Sequence, residues 1–121
     1  MHNDPGPEGT VVAIHFELFG QPFLAINGGP HFKFTQAISL CVNCDNQEEI
    51  DRLWDALSAS GKKMECGWVS DQFGVSWQIV PTILGELLDD ADPAAASRVL
   101  KAVWKMQKLD IAAMQKAKRG P

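Results

Sequence analysis

Hydrophobic and polar positions change rhythm three times along the chain. From Thr10 to Phe19 the run "TVVAIHFELF" alternates: Val12, Ile14, Phe16 and Leu18 fall on one side, Ala13, His15 and Glu17 on the other. A period of two is that of a half-buried strand. Gly20-Gln21 makes a two-residue turn into "PFLAING", with Pro22 at the strand start, where its missing donor costs little. After the loop "GGPHFKFT", "AISLCVN" reads as a third strand.

The rhythm then becomes helical. Asn46 with Glu49 three residues on is a capping-box pattern, and Ile50, Leu53, Trp54 and Leu57 recur at helical spacing, which predicts a helix from Gln47 to near Ala59. Ser60-Gly61 ends it. The segments "KMECGW" and "GVSWQIV", separated by "SDQFG", predict two more strands.

Beyond Pro81 the pattern is helical to the end. "TILGELLDD" is a short amphipathic turn or helix; Asp92-Pro93 supplies a cap and a first-turn proline for "AAASRVLKAVWKMQK"; Asp110 caps "IAAMQKAK". Val99, Val103 and Met106 form a stripe flanked by Leu100 and Trp104, expected to pack against the same chain or a twin subunit rather than a cofactor. The expected architecture is α+β: one loop at 1–9, a hairpin at 10–27, a strand-and-helix module at 37–81 and a helical tail at 82–118, within a single domain.

Composition narrows the function. With 121 residues, 45% of them apolar and 21% charged, the chain can build one ordinary core. A net charge of -4 gives no electrostatic reason for nucleic-acid binding, and the lysines near the end suit a helix C-terminus. No apolar run approaches the ~20 residues that span a bilayer, and "MHNDPGPEGT" has no signal-like region, so no membrane partner and a cytoplasmic location are expected. Three cysteines argue against a disulfide framework. Cys41 and Cys44 form a CxxC, but on a strand such positions point to opposite faces, so reduced structural cysteines are expected.

The segments "FGQPFLAINGGPHFKFTQAISLCVNCDNQEEIDRLWDALS" and "CGWVSDQFGVSWQIVPTILGELLDD" closely resemble the PhnB-like branch of the vicinal oxygen chelate superfamily. That superfamily includes glyoxalase I, bleomycin-resistance proteins and extradiol dioxygenases; the branch often carries the name 3-demethylubiquinone-9 3-methyltransferase-like. The resemblance runs from Gly9 to about Ala113. It implies βαβββ modules curled around a cleft and usually paired in a dimer. Residues 37–81 would be one module, with its last strand short or missing from the pattern; Thr10 to Asn27 would close a first module whose strand-helix-strand start has no counterpart here. Two expectations compete for that gap: a homodimer, with exchanged elements, that covers the Val12–Leu18 face, or a sequence that is a fragment.

Metal-using members of the superfamily place His or Glu on cleft-facing strands. The resemblance puts Ala37 at one such His and Gln78 at the Glu; Gln78 keeps the length and loses the charge, so no catalytic metal is expected. His15, Glu17 and His31 are the remaining candidates for a divalent metal, although a solvated pair accounts for His15 and Glu17, and a loop residue for His31. On "GVSWQIV", Trp77 and Ile79 share one face and Ser76, Gln78 and Val80 the other; if Trp77 and Ile79 pack beneath the helix, Ser76 and Gln78 face the cleft. By the same period Met64, Cys66 and Trp68 share a face. Ser76, Gln78, Trp68, Cys66, Asn27 and His31 are thus the candidate residues for a small-molecule site, with plain packing an equal account of Trp68 and Cys66. Methyl transfer is disfavoured, because a cofactor turn of the usual kind is glycine-rich and opens a helix, whereas "NGGP" precedes none. The expected function is metal-free binding of a small molecule; a metal-dependent enzyme of the superfamily and a structural or interaction module are the alternatives.

Overall fold

In the computed structural model, which describes residues 6–121, the chain forms two compact units, the first ending at Lys33 and the second running from Phe34 to Pro121. In the first, β1 (Ala13–Leu18) and β2 (Gln21–Ile26) pair antiparallel, Leu18 opposite Gln21 and Ala13 opposite Ile26. The turn falls one residue earlier than the sequence suggests. Phe19 and Gly20 occupy it with φ of 50° and 81°, the left-handed pair that matches the twist of a two-residue hairpin. Gln21 is then free to pair in β2. Phe16 and Phe23 stack across the strands at 5.4 Å.

The second unit begins with β3 (Leu40–Cys44) and α1 (Gln47–Ser58), then β4 (Lys62–Lys63), β5 (Trp68–Ser70) and β6 (Ser76–Pro81), a complete β-α-β-β-β module. Its sheet has the order β3-β6-β5-β4, with β3 parallel to β6 and the other pairs antiparallel. The cap of α1 is as expected: Asn46 Oδ1 accepts from the Glu49 N–H at 2.8 Å, while Glu49 reaches back to the Asp45 N–H. The helix lays Ile50 and Trp54 on Cys44, Val69 and Ile79, with Trp77 and Val42 packed alongside.

The expected strand across "KMECGW" is instead two short strands around a turn. The Met64 N–H bonds Trp68 O at 3.0 Å and the Trp68 N–H bonds Glu65 O at 3.1 Å; Cys66 and Gly67 take φ of 59° and 83°. This split supplies the third strand after the helix, which alternation alone leaves short or missing.

In the tail, α2 (Ile83–Leu88), α3 (Pro93–Val103) and α4 (Ile111–Arg119) enclose Leu87, Val99, Val103, Leu109 and Met114. Asp92 and Asp110 cap α3 and α4 through the Ala94 and Ala113 N–H groups. Helix α3 stops at Val103, short of the run the sequence suggests, and the chain turns back. Cys66 and Gly67 N–H then donate to Met106 and Gln107 O at 2.8 and 2.7 Å, fastening the tail to the sheet. Gln47 adds a second fastening: its amide donates to Leu109 O at 3.0 Å and accepts from the Ile111 N–H at 2.8 Å. The Val99–Val103 stripe packs within its own chain; Trp104 stays 60% exposed. Among the described residues no helix is long and apolar enough to cross a membrane.

Candidate functional site

The sheet of the second unit has two unlike faces. Trp77 and Ile79 point to α1, as the alternation of β6 requires. Ser76, Gln78 and Val80 therefore lie on the opposite face. Register places Gln78 beside Cys41 of β3 and beside Trp68 of β5, so Cys41, Gln78 and Trp68 form one row across three strands. Strand spacing sets these neighbours about 5 Å apart. The next row carries Ser76, Ser70 and Lys62.

The helical tail covers one end of this face, where Val80 packs against the tail cluster. The other end is an open depression of about 390 Å³ lined by Gln36, Lys62, Lys63, Met64, Glu65 and Trp68. Gln36 reaches Met64, amide nitrogen to Sδ, at 3.1 Å. Half-buried Gln78 donates from Nε2 to Ser39 Oγ at 2.8 Å. Among the described residues nothing donates to its Oε1, which leaves one acceptor on this face. Trp68 supplies a flat apolar wall next to it.

Not every expected residue belongs here. Cys66 leaves the face it was expected to share with Met64 and Trp68, because the turn at 64–67 breaks the period of two; its side chain packs against the tail cluster. Ser76 lies on the expected face but is only 2% exposed. Asn27 sits in the first unit, where its backbone N–H and side chain bond Val12 O and Val11 O and close the hairpin. His31 is exposed in the segment after the hairpin. His15 and Glu17 share one exposed face of β1. Among the described residues no three His, Cys, Asp or Glu side chains gather in a metal-binding group.

The CxxC divides as strand geometry demands: Cys41 is exposed in the row with Gln78, and Cys44 is buried beneath α1. Burial, reinforced by Glu49, pushes the Cys44 thiol up to about 11, so it stays protonated and inert at neutral pH. Cys41, Ser39 and Gln36 were not legible as site neighbours. Their placement depends on the parallel pairing of β3 with β6, which local periodicity does not encode.

The chain has counterparts among known proteins. A family model described as 3-demethylubiquinone-9 3-methyltransferase matches residues 1–80. The chain belongs to that family, in its PhnB-like branch. Among solved structures, a PhnB protein from Bacillus cereus carrying the same methyltransferase description is 38% identical, with a TM-score of 0.60 over 66% of this chain and 71% of its own. Protein PA1353 from Pseudomonas aeruginosa, 20% identical, shares the fold with a TM-score of 0.52 over 65% of this chain and 71% of its own. No match was found among curated proteins. The PhnB-like relatives agree with a glyoxalase-like α+β fold, as the sequence resemblance implied.

Proposed function

We propose that the chain binds a small, flat, oxygen-bearing molecule on the open sheet face, with Trp68 as stacking wall, Gln78 Oε1 as hydrogen-bond acceptor and Lys62 as the cation for an anionic oxygen. The observation that carries this reading is the Cys41-Gln78-Trp68 row beside an open depression of about 390 Å³. An apolar wall with a few convergent polar groups is the usual make-up of small-molecule sites.

The reading is metal-free because the position that the resemblance assigns to a metal carboxylate is an uncharged amide, held on Ser39 through its nitrogen. Amide oxygens bind hard cations as minor members of carboxylate-containing sets. The proposed binding does not extend to methyl transfer. The strand-to-helix turn from β3 to α1 is Asp45-Asn46, without the glycines that let a nucleotide cofactor approach such a turn.

A thermal-shift screen of aromatic carboxylates and phenols, 4-hydroxybenzoate among them, tests the proposal. Binders that raise Tm in metal-depleted buffer support it. Stoichiometric nickel, zinc, iron or manganese in the purified protein, required for any shift, contradicts it.

A further inference from the structure

Met64 carries a sulfur atom to the rim of the open depression. Its backbone is fixed, since its N–H bonds Trp68 O at 3.0 Å in the turn between β4 and β5. Its side chain is half-buried and lines the depression with Trp68. Gln36 directs its amide nitrogen onto Sδ at 3.1 Å. The other methionines among the described residues are placed differently: Met114 is fully buried, and Met106 packs against the tail cluster.

Gln36 belongs to segment 34–39, which leads into β3. Residues 34–38 are exposed, Phe34 by 64% and Ile38 by 73%, so little apolar packing holds the segment down. Two side-chain hydrogen bonds tie it to the sheet and its turn: Gln78 donates to Ser39 Oγ at 2.8 Å, and Gln36 donates to Met64. The second is the weaker tie, because a thioether is a poor acceptor. A thioether is also what a peroxide attacks, and the sulfoxide it becomes is a polar group with an oxygen acceptor.

We propose that Met64 is a reversible oxidation site whose sulfoxide grips Gln36 and draws segment 34–39 onto the rim of the depression. The oxidant is hydrogen peroxide. The Sδ lone pair bonds one peroxide oxygen and the O–O bond breaks; sulfur is oxidised by two electrons, and the second oxygen leaves as water with both protons. In the product the Gln36 N–H donates to oxygen in place of sulfur. Both side chains are long and unbranched, so they can yield the space that the added oxygen needs. A thiol-dependent sulfoxide reductase reverses the step: two thiols become a disulfide and the oxygen departs as water. As a control on ligand entry, this switch rests on the small-molecule reading of the same face.

The test treats the whole chain with dilute hydrogen peroxide and then dithiothreitol, which restores cysteine sulfenates and disulfides but leaves the sulfoxide. Site-resolved peptide mass spectrometry should find oxygen on Met64 before Met106 or Met114. By nuclear magnetic resonance, solvent exchange of the Gln36 side-chain amide should slow by roughly threefold or more, the scale of one net hydrogen bond. The backbone of residues 35–38 should become more rigid. Reductase treatment should reverse both changes, and Met64→Leu, of similar volume but without an oxidisable sulfur, should show neither. Oxidation of Met106 or Met114 ahead of Met64, unchanged or faster Gln36 exchange in the sulfoxide, or the same response in Met64→Leu would overturn the proposal. These readouts need no ligand, so they stand apart from the small-molecule reading. Titration with 4-hydroxybenzoate then separates the two. Weaker binding to the oxidised form supports control of entry, equal binding to both forms overturns it, and no binding to either counts against the small-molecule reading.

Discussion

Gln78 and Ser39 are joined by a 2.8 Å hydrogen bond between two segments of the second unit, 39 residues apart in sequence. The bond fixes the amide so that its nitrogen is occupied and its oxygen available. Ser39→Ala should therefore leave a half-buried donor without its partner. The expected loss is about 0.5–1.5 kcal/mol of stability by denaturant titration, with a weaker response to ligand because Gln78 is no longer held.

Gly61 and Ser70 make the closest approach of backbone to a would-be side chain in the sheet. A Cβ at position 61 would run into Ser70 O and crowd Leu57 O, where α1 hands over to β4. Both neighbours are backbone and have little room to yield. Gly61→Ala should cost about 3 kcal/mol or more in a urea unfolding curve, in the range of severe single substitutions. A loss under 1 kcal/mol would mean that the α1–β4 connection relaxes freely.

Gln47 serves two elements at once. Its side chain bonds Leu109 O and the Ile111 N–H, and also Asp51 Oδ1, whose carboxyl is held below the usual range by Gln47 and then by Lys108. Gln47→Ala removes partners from the start of α4 and should destabilise by roughly 1–3 kcal/mol. Hydrogen exchange should rise most at residues 109–114. Uniform acceleration across the sheet and tail would show that Gln47 does not specifically tie α4 to α1.

Cys44 gives a signed pH dependence. Its folded thiol titrates near 11 against 9.0 for the free side chain, because burial disfavours the thiolate. The unfolded chain gives up this proton first as pH rises. The protonated core thiol therefore contributes its full stability below pH 9, and that contribution is lost between about pH 9 and 11, on the order of 1–3 kcal/mol. Cys44→Ala should be less stable at pH 7 but show a shallower decline over that window.

Much of this architecture was legible because local chemistry and global fold agree. The alternation of Val12–Leu18, the Asn46 cap and the Asp92-Pro93 and Asp110 starts each specified an element that the structure contains. The failures share a cause. "KMECGW" resembles a strand by composition, yet Gly67 at φ 83° and its bond to Gln107 make it a turn that the tail locks in place. The end of α3 at Val103 depends on the same long-range contact. At the site, β6 alternation correctly separated Gln78 from Trp77. Cys41, Ser39 and Gln36 became neighbours only through strand pairing and loop placement, which no single segment records.

The central claim is that Trp68 and Gln78 bind a small molecule without metal. It is tested most directly by isothermal titration with 4-hydroxybenzoate, or the strongest binder in the screen, after EDTA treatment and dialysis. Trp68→Ala and Gln78→Ala should each weaken binding at least tenfold, about 1.4 kcal/mol, while keeping the fold. Unchanged affinity in both variants, or binding that vanishes with EDTA and returns with a divalent metal, would contradict it.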